Sequence, residues 1–442
     1  MARLEGQKQK IFKYIKLNKQ VTFAMLGNCL EFYDVTLYSF FAALLAPLFF
    51  PSASHSLSLL ASFSAFALGI AMRPLGGIVF GHLGDQYGRK YALRISLVLI
   101  ATPTLIIGLL PTYESLGPAA PLVLVLCLLL QGLCVGGEYS GASVFVVEHT
   151  KKKWPGFWSA SLIASGFLGG LIGTLIGALF TQVCMPSWGW RVPFLIGGVV
   201  SLIGFYRFYR LQETPDFQLV MDTKATIRKP LLSALKNQTV NFLCVVCVGS
   251  ASFIPLYTAT TYLGSILLND LRMPHSHIML VYSLVMTVYL IFLPIMGSLA
   301  DRLGAKKVMA TAALSMIIFS YPLFGLLLSK TVSGIIINQV FLAIVNTAFS
   351  GPSLLFKAGL FPTNTRHSAL GFGYNLGGAI FGGTSPLICA SLVNWTGNYR
   401  SAAFYIIFGA MLGLIGVSFS RKIDTSFEED HEKAYSLKQL VA

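Results

Sequence analysis

Charge is scarce in this chain. Only 11% of its 442 residues are Asp, Glu, Lys or Arg, less than half the roughly 25% of an ordinary soluble domain. With 55% apolar residues beside so few charges, the chain lacks the polar surface that a water-soluble globule needs. Acids are the rarer sign, 17 against 32 basic residues. Clusters of metal-binding or redox residues are missing too. The seven cysteines (Cys29, Cys127, Cys134, Cys184, Cys244, Cys247 and Cys389) all stand in apolar stretches. Cys244 and Cys247 form C-x-x-C without a second pair or a nearby His, so they read as small buried hydrophobes. No phosphate-cradling loop is present, which excludes a nucleotide-driven pump. The glycines of Gly371-Phe-Gly373-Tyr-Asn-Leu-Gly377 imitate a dinucleotide fingerprint but open no βα unit. No nucleophile–base set is visible either, so an enzyme is not expected, nor any cofactor or metal.

What the chain has is hydrophobicity in long runs. About 20 apolar residues cross ~30 Å of hydrocarbon as a helix. Twelve such stretches lie at roughly 21–50, 57–82, 91–112, 120–148, 155–184, 190–210, 237–269, 276–300, 308–329, 332–361, 367–395 and 400–420. The expected fold class is therefore an all-α polytopic membrane protein with the lipid bilayer as its surroundings. The lysine-rich start resembles a leader, but its apolar stretch contains Glu31 and Asp34 and no A-x-A site, so an uncleaved first span is expected.

The net charge of +15 raises the question of nucleic acid, and its placement answers it. Cations gather in the first tail (Arg3, Lys8, Lys10, Lys13, Lys16, Lys19), after the second span (Arg89, Lys90, Arg94) and after the fourth (Lys151, Lys152, Lys153). They return at the centre (Arg207, Arg210, Lys224, Arg228, Lys229, Lys236), then as Arg302, Lys306, Lys307 and Arg366, and last as Arg421, Lys422, Lys433 and Lys438. The opposite side carries only Arg191, Arg272, Lys330 and Arg400. An excess of this kind marks cytoplasmic loops. Both termini are expected in the cytoplasm of a bacterial cell, the spans in its inner membrane, and no nucleic-acid partner.

The chain repeats itself. Gly81-His-Leu-Gly-Asp85-Gln-Tyr-Gly88-Arg89-Lys90 has a weaker copy in Gly297-Ser-Leu-Ala-Asp301-Arg-Leu-Gly304-Ala-Lys306-Lys307. Trp190-Arg191 and Tyr399-Arg400 echo each other in the same way. Two parallel six-span repeats follow, with a binding site between them. The divisions expected are a tail over 1–20, bundles over 21–210 and 237–420, a central loop over 211–236 with Pro215 and Pro230, and a tail over 421–442. In each repeated loop the glycine permits a tight reversal. Asp85 can favour the N-terminus of the next helix, and Arg89 can pair with it or with a neighbouring helix end. Asp85, Gly88, Arg89, Asp301 and Gly304 are the gating candidates, joined by Arg73, which could instead pair with an acid inside the membrane.

Gly-x-x-x-Asp-x-x-Gly-Arg-Lys, repeated in weakened form, resembles the signature loop of the major facilitator superfamily. Four further stretches resemble its metabolite:proton symporter family. They are Gly27-Asn-Cys-Leu-Glu31-Phe-Tyr-Asp34, Arg73-Pro-Leu-Gly-Gly77, Gln131-Gly-Leu-Cys-Val-Gly-Gly-Glu138-Tyr139 and Trp188-Gly-Trp-Arg-Val-Pro-Phe194. Glu213-Thr214-Pro215 and, more loosely, Phe361-Pro362-Thr363 fit as well. Gly141-Ala-Ser-Val-Phe-Val-Val-Glu148 brings the likeness nearest to proline/glycine-betaine transporters. The resemblance implies a twelve-helix proton symporter. The chain departs from the family at Leu128, where many members carry arginine, and at Gly359, where glutamate is usual. It also ends about 20 residues past the last span, without the coiled coil of osmosensing members.

Ionisable groups inside spans cost about 2.5–3.5 kcal/mol each at a bilayer centre, so their presence calls for partners, water or a function. Glu31 and Asp34 share one helical face, extended by Asn28 and Tyr38. Glu138 lies among Gly136, Gly137 and Gly141. Asp34, Glu138 and Glu31 are the candidates for carrying protons, against a structural network with Arg73. Glu148 is expected to reach water from a span end. Lys357 either snorkels or meets a substrate carboxylate. With Asn28 and Tyr38 it forms the candidate substrate wall, which Tyr257, Tyr262, Asn346, Tyr374 and Asn375 complete. Aromatic faces suit a quaternary ammonium. Gly169, Gly173 and Gly177 read as a packing row, and His149, His275, His277 and His367 as histidines of span ends. The expected function is proton-driven import of a small zwitterion such as proline or betaine by a monomer. A carboxylate symporter (dicarboxylate, citrate or shikimate-like) and a proton-linked exporter are the alternatives.

Overall fold

A computed structural model describes residues 2–52, 55–150, 154–180, 185–208, 212–269, 273, 275–329 and 331–421. Lys151–Lys153, Cys184, Arg210, Arg272, Lys330 and the tail from Lys422 onward, all used in the sequence reading, lie outside them. In hydrocarbon every backbone polar group must be satisfied within its own segment, and the described chain is accordingly helical. Its helices are α1 (Ala2–Phe49), α2 (His55–Ala71), α3 (Arg73–Gln86), α4 (Arg89–Leu109), α5 (Tyr113–Leu116) and α6 (Ala119–Thr150). They continue as α7 (Pro155–Phe180), α8 (Arg191–Phe208), α9 (Pro215–Asp222), α10 (Pro230–Asn237), α11 (Thr239–Tyr257) and α12 (Leu263–Asn269). The last are α13 (His275–Leu303), α14 (Ala305–Phe324), α15 (Val332–Ala358), α16 (Arg366–Gly377), α17 (Ser385–Thr396) and α18 (Ala403–Phe419).

Among the described residues ten helical stretches are long and apolar enough to cross a membrane. They coincide with ten of the twelve expected spans. The first and sixth places are held by α1 and by α8, whose apolar part runs over Arg191–Gly204. This is a multi-pass membrane protein. Helix α1 continues without a break from Ala2, so the stretch over 1–20 expected as a tail is helical from Ala2 onward. Two spans change pitch midway: α11 passes into α12 through the π-turn Thr258–Tyr262, and α16 into α17 through Gly378–Gly382.

The spans sort into two bundles, α1–α8 and α11–α18, that meet along two seams. At one seam α3 lies on α16, with Gly77, Gly81 and Gly84 against Gly371, Ser368 and His367; any Cβ on those three glycines would collide. At the other, α7 lies on α13 with Gly156 against Gly297. Small residues are what permit such backbone approach in a membrane. The row Gly169 and Gly173 serves α7 in the same way, against the α1 backbone at Cys29 and Tyr33.

The segment expected as a polar connector is partly built. Pro215 and Pro230 start helices α9 and α10 rather than interrupting the chain, because proline at the first helical turn gives up no hydrogen bond. Thr214 caps α9, accepting from Phe217 N–H at 3.3 Å. Gln86 ties this segment to the first bundle, its amide donating to the carbonyls of Ile227 and Arg228 at 3.0 and 2.9 Å.

Candidate functional site

At the end of the molecule that carries the repeated loops, one from each bundle, each loop aspartate crosses a seam. Asp85 accepts the backbone N–H of His367 at 3.2 Å and of Ser368 at 2.8 Å, in the first turn of α16. Asp301 accepts N–H from Gly156 at 2.7 Å and Phe157 at 2.9 Å, in the first turn of α7. The two contacts are one device used twice. A carboxylate from one bundle caps a helix of the other, where unpaired N–H groups and the helix dipole both favour negative charge. The sequence reading aimed Asp85 at the next helix in its own bundle. That place is taken by Glu213, which accepts from Arg89 and Lys90 N–H at 3.1 and 3.2 Å. The reversal that allows this turns at Gly88, with φ 111°, where a side chain would also strike the Glu213 carboxylate. Its counterpart Gly304, at φ 91°, faces open space. Burial pushes the Glu213 carboxyl above the ordinary glutamate range, against the pull of its three backbone donors and Arg89.

Arg89 is fully buried and joins several elements. Its guanidinium bonds Asp85 at 3.0 Å and Glu148 at 3.3 Å, donates to the carbonyls of Gly84 and Thr363, and lies over the Phe217 ring. Glu148 does not reach water, as the span-end reading had it. It is buried and shared by Arg366 at 2.8 Å, by Arg89 and by the Thr214 hydroxyl at 2.6 Å. Two opposed charges and a hydroxyl make this possible, and none of the contacts is local in sequence. His367 is likewise no loop histidine: it is fully buried, its ring packed on Gly84 and Gly141 of the other bundle.

The middle of the molecule is different. Glu31 and Glu138 are buried, and neither carboxylate has a hydrogen-bond partner on either oxygen. Glu31 lies within electrostatic range of Glu138, Arg73 and Asp34. Arg73 stands at the start of α3, apart from the loop-end charges, with a buried and unpartnered Nε. It lines a small cleft with Tyr38, Phe66 and Gln131. Asp34 is held on one oxygen by Thr104, at 2.9 Å.

From the second bundle comes Lys357, fully buried, its Nζ without a hydrogen-bond partner and 3.3 Å above the centre of the Tyr374 ring. Lys357 therefore does not snorkel. Tyr374 stacks on Tyr139 of the first bundle at 5.4 Å and touches Phe253, which stacks in turn on Tyr257. Tyr139 is in range of Glu31, and Tyr374 of Arg73. An aromatic bank thus runs across the seam, with unpartnered acids at one side and an unpartnered ammonium at the other. Asn375 crosses the same seam, donating to the Gly136 carbonyl at 3.0 Å.

Other candidates are engaged elsewhere. Asn28 donates to Leu162 O at 2.8 Å and Ser165 at 3.1 Å, fastening α1 to α7. Tyr38 meets Ser62 of α2 at 3.2 Å. Asn346 ties α15 to α11 and α13 through Ser252 O and Tyr289. Tyr262 is buried in the π-turn. Thr104 and Gln131 were not flagged as site residues. The signals for them are polarity at mid-span and, for Gln131, its place at the head of the Gln131-Gly-Leu-Cys-Val-Gly-Gly-Glu138-Tyr139 stretch. Among the described residues no group of His, Cys, Asp and Glu could hold a metal ion.

Comparison with known proteins gives a consistent picture. Residues 20–231 match the family described as sugar (and other) transporter, and residues 242–438 the major facilitator superfamily. The glycine betaine/proline/ectoine/pipecolic acid transporter OusA of Dickeya dadantii is 33% identical over 92% of this chain and 84% of its own. The proline/betaine transporter of Escherichia coli K12 is 34% identical over 90% and 82%. Among solved structures, the proton:xylose symporter XylE bound to 6-bromo-6-deoxy-D-glucose superposes with a TM-score of 0.74 at 17% identity, over 91% of this chain and 94% of that one. That likeness is one of fold.

Proposed function

We propose that this chain, which belongs to the major facilitator superfamily and is a membrane transporter rather than an enzyme, imports a small zwitterion of the proline or betaine kind together with protons. The observation that carries the reading is the unpaired charge at the centre. Burying an ion without a partner costs several kcal/mol, so Glu31, Glu138 and Lys357 are tolerable if something that comes and goes completes them. A zwitterion does so at both ends. Its carboxylate pairs with Lys357, and with Arg73 when it lies deeper. Its ammonium rests on the bank of Tyr139, Phe253 and Tyr257, whose ring faces draw a quaternary nitrogen, while Tyr374 carries Lys357. Protons neutralise Asp34, Glu138 and Glu31 during passage. Relatives named as proline and betaine transporters support the cargo class.

Movement follows from the seams. With Asp85 capping α16 and Asp301 capping α7, the loop end is latched. Releasing both caps lets the bundles rock and the centre open there. The cation excess at that end supports its being the cytoplasmic one, with both termini in the cytoplasm and the spans in a bacterial inner membrane, and the chain acts as a monomer. The two central cations also favour a second reading, a dicarboxylate as cargo. Uptake of labelled proline, glycine betaine and dicarboxylates into vesicles, with and without an imposed pH gradient, separates the two. Asp34→Asn is expected to abolish gradient-driven accumulation of the carried compound while still reaching the membrane. An accumulation ratio equal to the unaltered protein's would remove Asp34 from the proton path.

A further inference from the structure

The three buried acids at the centre of the first bundle, Glu31, Asp34 and Glu138, are not equivalent. Glu31 and Glu138 leave both oxygens unpartnered, whereas Asp34 has Oδ2 held and Oδ1 not. The hold comes from the Thr104 hydroxyl of α4, at 2.9 Å. Behind it stands Gln131 of α6, whose amide donates to Thr104 Oγ1 at 2.9 Å. One residue from each of three helices makes a directed chain, Gln131 to Thr104 to Asp34. The free oxygen, Oδ1, faces Gly197 of α8, where a Cβ would stand 2.8 Å away. Glycine there leaves Oδ1 the space to carry a proton.

A hydroxyl has one proton to give and two lone pairs to receive. Gln131 takes one lone pair of Thr104. The proton has two acceptors in reach, Asp34 Oδ2 and the Ile100 carbonyl at 3.1 Å. When Asp34 is ionised, the hydroxyl proton points at the carboxylate and the two bonds polarise one another. When Asp34 is neutral, the Thr104 proton is free to turn to the Ile100 carbonyl, so the hydroxyl keeps an acceptor in either state. Gln131 also lines the cleft with Tyr38, Phe66 and Arg73, a space of about 20 Å³, enough for one water. A second N–H of its amide remains for whatever occupies that cleft.

We propose that Thr104 and Gln131 are positioning residues that tie occupancy of the cleft to the proton on Asp34. A cargo group that draws the Gln131 amide toward itself loosens the donor chain, and the ionised form of Asp34 loses support at the moment the cargo binds. The inference rests on Asp34 being a proton carrier. The charged or titratable groups in range of Asp34 are Glu138 on α6 and Glu31 and Tyr33 on its own helix. Helices α4 and α8 meet it through Thr104 and Gly197.

The test is the initial rate of labelled proline and glycine betaine uptake against external pH, with the full-length chain in vesicles. Thr104→Val removes the hydroxyl and keeps the shape. Without its donor the carboxylate holds a proton to higher pH, so the alkaline limb of uptake is expected to move up by about one unit. Thr104→Ser is expected to restore the original profile. Gln131→Met should move the limb the same way by less and raise KM. A Thr104→Val profile that superimposes on the unaltered one overturns the link. If Thr104→Val fails to reach the membrane, an unshifted limb in Gln131→Met does the same. Full accumulation by Asp34→Asn would instead sink the proton-carrier reading itself, so the two failures are told apart.

Discussion

The loop end and the centre of this molecule bury charge in opposite ways. At the loop end Asp85, Arg89, Glu148 and Arg366 are interlocked, with Thr214 and backbone groups taking most of the remaining valences and Arg89 Nε alone of that guanidinium left without a hydrogen-bond partner. At the centre Glu31, Glu138 and Lys357 have no hydrogen-bond partner. A satisfied network rigidifies what it joins; an unsatisfied one is stable only while its charges are neutralised or met by a ligand. The contrast is what supports the proposed division into a gate at the loop end and a site at the centre.

The strongest way to break that contrast is to unpair the loop end. Arg89→Met leaves Asp85 and Glu148 short of a buried partner and is expected to cost about 3–5 kcal/mol. Thermal unfolding in detergent reads this, and adding Glu148→Met should return part of it. Next in size is Lys357→Met at the centre. If the ammonium waits for cargo, its loss should leave the melting temperature unchanged or higher while KM rises roughly 30-fold, about 2 kcal/mol. A melting temperature that drops as far as in Arg89→Met would erase the distinction between the two regions.

Smaller effects sharpen the comparison. Asp85→Asn and Asp301→Asn each remove a charged helix cap, worth about 1 kcal/mol. Both should raise the reactivity of cysteines placed along the α3/α16 and α7/α13 seams, and by similar amounts if the two loops are one device. The smallest effect belongs to Glu213. Its carboxyl is raised by burial, so ionisation opposes the folded state. Its contribution is full below the ordinary glutamate range, near 4.3, and fades as pH rises through the folded-state titration. Glu213→Gln is expected to gain on the unaltered protein from pH 4 to pH 8 by less than about 1 kcal/mol, seen as a narrowing or reversal of the gap in melting temperature.

Much of this was legible in the residues. The ten long apolar helices fall where hydropathy put them, because span length is set by bilayer thickness and needs no knowledge of neighbours. The duplicated loop was visible because Asp85 and Asp301 stand in the same local pattern. Less legible was what each aspartate touches. Glu148 looked like a span-end acid, and only the approach of Arg366, more than two hundred positions away, makes it a buried hub. Thr104 went unnoticed since a single mid-span threonine has no pattern to betray it.

Composition and order alone determined that the chain spans a membrane in two repeated halves and that acids stand inside it, since these depend on local hydrophobicity and on identity of residue type. Which of those acids are paired, which end is latched, and that Lys357 faces Tyr374 rather than water were decided by tertiary structure. The reason is physical: hydrogen bonds and ion pairs act over about 3 Å, and helices far apart in the chain must first be packed before any side chain is that close to another.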